Sequence, residues 1–352
     1  MKYHHLVVTG GSGFIGSHFI SHVLGSYPGV RVSCADSLTY AAHPDTVEYL
    51  AKLSPERYSF HRLDITSPAF SEFLKTSGCD AIVNFAAESH VDRSILDPAS
   101  FVRTNVMGVQ NILDYVRSQP SVRLVHVSTD EVYGTLSPTD PAFTESNTLD
   151  PNSPYAASKA AADLLVLAAQ RTFKLDITIT RCSNNYGPFQ FPEKLIPLVI
   201  ANAIEDKPVP VYGDGRQVRD WIYVLDHCMG IDLVLQNGRS GEVYNLSAHE
   251  ERYNIDMVHK LLGILGKPTS LIQHVGDRPA HDRRYAVNSA KARGELGWSP
   301  KVTFEDALTA TVQWYLKNES WWKKVRDKKF FEFYQANYTN KFEGETKGAR
   351  VL

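Results

Sequence analysis

The chain has almost no net charge, few cysteines and no long apolar run, and each shortage removes a class of function. Among 352 residues, 37 Lys and Arg nearly balance 39 Asp and Glu, for a formal net charge of -2 at pH 7. That balance gives no electrostatic case for nucleic acid or an anionic membrane as the main partner, so any phosphate binding must be local. The four cysteines, Cys34, Cys79, Cys182 and Cys228, are widely spaced with no Cys-x-x-Cys pair. They indicate neither a zinc site nor a disulfide framework, and reduced, buried thiols are expected. No His, Cys and carboxylate cluster has metal-ligand spacing, so no metal is expected. Nowhere does the chain offer the roughly 18 uninterrupted apolar residues of a membrane span. Its first residues reach a glycine-rich turn without a signal-peptide core, and a cytoplasmic location is expected.

What is present is a run of βα units. Leu6-Val7-Val8 reads as a buried strand entering Gly10-Gly11-Ser12-Gly13-Phe14-Ile15-Gly16, and residues 14–24 then space their apolar side chains as a helix does. Glycines at such a turn permit positive φ and let backbone N–H groups approach a pyrophosphate at the positive end of the helix. A second strand over 30–35 ends at Asp36, twenty residues after Gly16. A carboxylate there accepts hydrogen bonds from the adenosine ribose and repels a 2′-phosphate, which favours NAD over NADP.

The alternation continues with strands over 58–63, 81–85, 123–128, 175–181 and 242–246 and helices over 69–76 and 101–117. The fold class is therefore α/β, a Rossmann-like doubly wound parallel sheet with a smaller C-terminal substrate-binding region. Asp64, Ala86, Ala87, Ser89 and Thr129 fall at the carboxyl ends of strands, where one ligand can meet them all. From about Asn184 the rhythm loosens, with prolines at 188, 192, 197, 208 and 210. Residues 1–183 are expected to form mainly the dinucleotide-binding part. Residues 184–318 are expected to form mainly the substrate-binding part, with segments returning to the sheet, and 319–352 an extension. A helix over 305–316 would present Phe304, Leu308, Val312 and Tyr315 on one face, and Trp321, Trp322, Phe330 and Phe331 would pack amphipathically beside it. The stretch 337–352 is polar, with Gly344 and Gly348, and reads as mobile.

Tyr155 and Lys159 lie four residues apart in Pro154-Tyr155-Ala156-Ala157-Ser158-Lys159. On a helix they share a face, so the ammonium can lower the phenol's pKa and make Tyr155 a base near neutral pH. Thr129-Asp130-Glu131 precedes them, and adjacent carboxyls whose pKa values are pushed apart are a general route to paired acid/base work. Arg219 and Arg278 match phosphate oxygens through their guanidinium forks. His90 follows a sheet strand directly into the expected site.

These residues resemble the extended short-chain dehydrogenase/reductases and, within them, the dTDP-glucose 4,6-dehydratases. The resemblance spans roughly residues 2–316. It rests on Thr9-Gly10-Gly11-Ser12-Gly13-Phe14-Ile15-Gly16-Ser17, Ala86-Ala87-Glu88-Ser89-His90-Val91-Asp92-Arg93-Ser94, Ser128-Thr129-Asp130-Glu131-Val132-Tyr133-Gly134 and the Tyr155/Lys159 segment. It continues through Arg181-Cys182-Ser183-Asn184-Asn185-Tyr186-Gly187-Pro188, Phe191-Pro192-Glu193-Lys194-Leu195, Tyr212-Gly213-Asp214-Gly215-Arg216 with Arg219-Asp220-Trp221, and Gly276-Asp277-Arg278-Pro279.

The resemblance implies NAD-dependent dehydration of dTDP-glucose by C4 oxidation, loss of water across C5 and C6, and hydride return to C6. It implies Thr129, Asp130, Glu131, Tyr155 and Lys159 as the catalytic set. The implied NAD site comprises Gly10, Gly13, Phe14, Ile15, Gly16, Asp36, Ser37, Leu38, Thr39, Asp64, Ile65, Ala86, Ala87, Ser89, Thr104 and Asn185, with Tyr155 and Lys159. The implied sugar nucleotide site comprises Ser89, His90, Thr129, Asn184, Lys194, Leu195, Pro210, Tyr212, Arg219, Asn254, Arg278 and His281. A homodimer is also implied.

The alternatives are a 4,6-dehydratase of another, UDP-linked sugar nucleotide, a sugar nucleotide 4-epimerase, and a non-catalytic NAD-binding module. Asp130-Glu131 weighs against simple epimerisation, which needs no acid/base pair at C5 and C6. The full set of Tyr155, Lys159, Asp130 and Glu131 weighs against a module that only binds. Departures from the pattern are Ser12, where alanine is common, and Ala280, where glycine is common.

Overall fold

The computed structural model describes residues 1–326 and 328–335. Strands β1 (His5–Thr9), β2 (Arg31–Asp36), β3 (Tyr58–Arg62), β4 (Ala81–Asn84), β5 (Arg123–Thr129) and β6 (Ile177–Cys182) are followed by β7 (Asn184–Tyr186), β8 (Val209–Tyr212), β9 (Val218–Tyr223), β10 (Val243–Leu246), β11 (Glu251–Tyr253) and β12 (Ile272–Val275). Seven of them form one sheet in the order β10-β6-β5-β4-β1-β2-β3, with every neighbouring pair parallel. The chain builds outward from β1 to β3, then crosses to β4 and builds the other way. The reversal falls between β1 and β4, where a crevice opens at the carboxyl ends of the strands.

Period-two alternation sends successive side chains to opposite faces of a strand. Leu6 and Val8 accordingly enter one core with Phe19, Ile231 and Trp298, while Val7 enters the other with Ile82, Ile112 and Val166. Helices must cover both faces, so the strands read as continuous apolar runs. The expected helix over 101–117 is interrupted. It runs as Pro98–Val102, a π-helical turn Arg103–Met107, and Gly108–Ser118. Helix Pro154–Phe173 starts cleanly because the Ser153 hydroxyl accepts the Ala156 amide at 3.1 Å and Pro154 occupies the first turn.

Beyond β6 the loosened rhythm resolves into a three-stranded sheet, β11-β9-β7, and a two-stranded pair, β12-β8. β10 returns to pair with β6 at the edge of the main sheet. A third core joins helices Leu195–Ile204, Asn254–Leu265 and Phe304–Lys317. Phe304, Leu308, Val312 and Tyr315 are all buried in it, and Trp322 and Phe330 extend it. Phe331 remains 40% exposed. The stretch 337–352 lies outside the described residues.

Trp322 is fully buried, and its indole N–H donates to the Tyr315 carbonyl at 3.0 Å. Trp322→Ala is expected to lower unfolding free energy by about 3–5 kcal/mol, read as a fall in the urea midpoint. An unchanged midpoint would mean that helix Glu319–Val325 is not part of the cooperative core.

Candidate active site

The glycine turn after β1 is dictated by close packing. Gly10 has φ +67°, and a Cβ there would lie 2.6 Å from the Ala86 amide nitrogen beyond β4. A Cβ on Gly16 would lie 2.4 Å from the Gly10 carbonyl oxygen. Helix Phe14–Ser26 starts at this turn. Its N-terminal amides face the crevice, with Gly10, Gly13, Phe14, Ile15 and Gly16 lining a cleft of about 410 Å³.

Asp36, at the end of β2, accepts the Ser12 amide at 2.9 Å and the Leu38 amide at 2.8 Å. Burial raises its carboxyl pKa, and those two amides partly offset the rise. A carboxylate has about four acceptor positions, so capacity remains for ribose hydroxyls. Ser37, Thr39, Asp64, Ile65, Ala86, Ala87, Ser89, Thr104, Asn185, Tyr155 and Lys159 line the same cleft. Leu38 is the exception among the expected cofactor residues: it takes left-handed backbone (φ 52°) and meets Asp36 through its amide. The side-chain-free approach at Gly10 and Gly16, with Asp36 at the end of the neighbouring strand β2, fits a dinucleotide.

At the end of β5, Thr129 leads into the 3₁₀ turn Asp130–Tyr133. Its hydroxyl donates to Asp130 Oδ1 at 3.3 Å and accepts the Glu131 amide at 3.4 Å. Burial, then Glu131 and Asp220, push the Asp130 carboxyl well above its ordinary value. Burial also raises Glu131, but Arg278, Lys194 and Arg219 oppose that rise. Arg219 acts on both carboxyls and Asp282 raises Glu131, so the surroundings differ in balance: Asp130 meets two acids and one cation, Glu131 three cations and one acid.

Tyr155 corrects one expectation from the sequence. Burial, followed by Glu131 and Cys182, pushes its phenol well above the usual value, and a hydrogen bond with the Thr129 side chain only partly offsets this. Lys159 does not offset it here. Its ammonium donates to the Val127 carbonyl at 2.9 Å, and burial lowers its own pKa. The π-helical turn explains another contact that helical spacing hides. Asn105 is buried there, accepting the Glu88 amide at 2.8 Å and donating to the Glu88 carbonyl at 3.0 Å and the Ser158 hydroxyl at 2.8 Å. It ties the loop after β4 to the helix carrying Tyr155 and Lys159.

A second cleft, of about 180 Å³, opens beside the first and shares Glu131, Asn184, Asn185, Gln190, Glu193 and Lys194 with it. His90, Leu195, Pro210, Tyr212, Arg219, Asn254, Arg278 and His281 line this cleft, while Ser89 and Thr129 line the first. Lys194 donates to the Ser89 carbonyl at 2.8 Å. Arg219 donates to the Val218 and Asp282 carbonyls and lies 4.3 Å over the Tyr285 ring. Burial, then Arg278, pull the His281 imidazole down to about 4. Ala280 has φ 51°, a left-handed conformation that glycine adopts more readily.

Sequence reasoning passed over Asp92, Glu193, Gln217 and Tyr285 as site residues, although all line the second cleft. Asp92, Glu193 and Gln217 take partners distant in sequence, so spacing does not mark their roles, while Tyr285 bonds the nearby Asp282 and faces the site through Arg219. Segment 187–194 walls both clefts and is held from outside. Phe189 packs against Trp314 and Trp321, and Phe191 against Tyr40 and Phe330. Glu193 pairs with Arg93 at 3.1 Å, and that guanidinium sits 3.9 Å over the Tyr40 ring.

A doubly wound sheet with a glycine turn, a Tyr/Lys helix and a second cleft lined by Lys194, Arg219 and Arg278 defines an enzyme of the short-chain dehydrogenase/reductase class. The family model described as GDP-mannose 4,6 dehydratase matches residues 7–311. The chain is 48% identical over 340 residues to a dTDP-glucose 4,6-dehydratase of Xanthomonas campestris, covering 91% of this chain and 95% of that protein. It superposes with a TM-score of 0.87 and 47% identity on DesIV, a dTDP-glucose 4,6-dehydratase of Streptomyces venezuelae solved with NAD, covering 91% of this chain and 99% of the other. The Bacillus anthracis dTDP-glucose 4,6-dehydratase in complex with NAD matches with a TM-score of 0.85 and 46% identity over 91% of this chain and 99% of its own. The chain belongs to the dTDP-glucose 4,6-dehydratase family.

The raised Asp130 carboxyl has a stability consequence of definite sign. Its protonated form is favoured on folding, so burial carries no penalty below the unfolded carboxyl's value near 4. The penalty grows as pH rises toward the higher folded value. Asp130→Asn removes the ionisable group. Its Tm is expected to exceed that of the parent by a margin that widens from about pH 5 to about pH 8. A margin that is constant or shrinks with pH would contradict the raised carboxyl.

Proposed function

We propose that the protein dehydrates dTDP-glucose to dTDP-4-keto-6-deoxyglucose with NAD as a cofactor that ends each cycle unchanged. The observation that carries this reading is the adjacency of Asp130, held up mainly by burial and acids, and Glu131, on which three cations act, beside Tyr155. NAD, when bound at the glycine turn and Asp36, supplies hydride acceptance at C4 and hydride return at C6. Every proton is then handled by the chain.

Tyr155 takes the C4 hydroxyl proton, with Thr129 hydrogen-bonding the phenol. Because burial holds the free phenol high, the phenolate needs a nearby positive charge, which a bound nicotinamide ring would supply. A C4 ketone acidifies the C5 proton. Glu131, kept ionisable by Arg278, Lys194 and Arg219, removes that proton. Asp130, kept protonated by burial and by its acidic neighbours, donates to the departing C6 hydroxyl. Glu131 later returns a proton to C5.

The same reading assigns residues 1–183 mainly to the dinucleotide and 184–318 mainly to the sugar nucleotide, while Trp321 and Phe330 buttress segment 187–194. No helix among the described residues is long and apolar enough to cross a membrane. The four cysteines are buried free thiols, which supports the cytoplasm as the location.

A homodimer is supported by an apolar face on packed neighbouring helices. There Leu96 is 69%, Val102 51%, Met107 56% and Leu164 58% exposed. Light scattering on the purified protein is expected to give the mass of two chains, and Leu164→Glu with Met107→Glu to give the mass of one. A parent that runs as a monomer would sink this part of the reading.

The activity is tested by incubation with dTDP-glucose in parallel with UDP-glucose, UDP-N-acetylglucosamine and GDP-mannose, following product mass. Loss of one water from dTDP-glucose alone, without net NAD consumption, is expected. Loss from another sugar nucleotide would replace the substrate, and an unchanged mass with all four would overturn dehydration. Glu131→Gln and Tyr155→Phe are each expected to reduce turnover by about 10²–10⁴-fold. Glu131→Gln should also abolish deuterium exchange at C5.

A further inference from the structure

Two residues of the second cleft, Tyr212 and Arg278, converge on one carboxylate that the reaction itself does not use. Asp92 sits in the first turn of helix Val91–Leu96, immediately after Ser89 and His90, with its side chain 7% exposed. Its Oδ2 accepts the Tyr212 hydroxyl at 2.8 Å, and its Oδ1 accepts an Arg278 N–H at 3.3 Å. These partners lie 120 and 186 residues further along the chain.

Arg278 needs such an anchor. It follows β12 in a stretch without regular secondary structure, two residues before the left-handed Ala280, so no backbone ladder fixes its position. Its guanidinium has five N–H donors, of which Asp92 engages one nitrogen. The Nε is buried with no hydrogen-bond partner. A buried donor left unmade is costly, and a phosphate oxygen meets that donor well. Arg219 and Lys194 line the same cleft, and Glu193 there is paired with Arg93, so cations remain for a diphosphate after Asp92 has engaged Arg278.

We infer that Asp92 is a positioning residue for the nucleotide end of the substrate, holding the Arg278 guanidinium and the Tyr212 ring where a nucleoside diphosphate is received. This rests on the reading of the second cleft as the sugar nucleotide site. It assigns Asp92 no proton transfer and no contact with the sugar. Asp92 acts on affinity through Arg278, and its loss is felt in KM while kcat is largely kept.

Calorimetric titration of the NAD-loaded protein with dTDP tests this independently of turnover. Asp92→Asn is expected to weaken dTDP binding at least about tenfold, with NAD content unchanged. The double variant with Arg278→Gln is expected to bind within about threefold of Arg278→Gln alone, because the two residues act as a unit. With dTDP-glucose, KM should rise for Asp92→Asn while kcat stays within about threefold. If the amide variant does not fold, Asp92→Glu, which keeps the charge, is expected to bind dTDP within about threefold of the parent. A loss in Asp92→Glu as large as that of Arg278→Gln would overturn the inference. Undiminished binding in Asp92→Asn, or effects that multiply in the double variant, would also overturn it. A parent that binds dTDP in an Asp92-dependent way but releases no water from dTDP-glucose would defeat the dehydration reading and leave this one standing.

Discussion

A buried carboxyl beside another carboxyl resists ionisation, and the turn that ends β5 forces Asp130 and Glu131 into that relation. Much of the second half of the chain answers this constraint. Arg219 comes from β9, Lys194 from the segment before helix Leu195–Ile204, and Arg278 from the stretch after β12. All three act electrostatically on Glu131. Asp220, next to Arg219 on β9, acts on Asp130 with the opposite sign. Arg219 reaches both carboxyls, so β9 brings a cation to each of them and an acid to Asp130.

The two clefts are coupled mechanically as well as electrostatically. Lys194 reaches the Ser89 carbonyl, and Asn105 clasps the Glu88 backbone and the Tyr155 helix. The loop after β4 is therefore held on one side by the substrate-facing half and on the other by the catalytic helix. A displacement of that loop would move Ser89, which lines the first cleft, and His90 and Asp92, which line the second.

The parts legible in the sequence were those written in local pattern. The glycine turn, Asp36 at the end of β2, and Tyr155 with Lys159 each follow from spacing within one βα unit or one helical turn. The strands of the main sheet were legible because burial on both faces leaves continuous apolar runs. The π-helical turn at 103–107 was not, since Arg-Thr-Asn-Val-Met keeps ordinary helical spacing and its distortion is fixed by contacts with Glu88 and Ser158. The Tyr155 pKa was misjudged because a pairing rule sees Lys159 and cannot see burial, which is set by the whole fold. Asp92 and Glu193 were invisible as site residues because their partners arrive from far along the chain. In the small sheets after β6, β7 and β11 span only three residues each, too few to leave a period.

Phe191 and Phe189, which hold segment 187–194, rest on Trp314, Trp321 and Phe330. This gives the site an order of assembly. Six of the seven strands of the main sheet are complete by Cys182, and the glycine turn and the Tyr155 helix emerge with them. The wall shared by both clefts finds Tyr40 and Arg93 already made, and acquires the rest of its backing when residues 314–330 have been made. During synthesis, then, a chain able to grip a dinucleotide precedes one able to enclose a sugar, and reactive keto-sugar chemistry waits until the last aromatic buttress is in place.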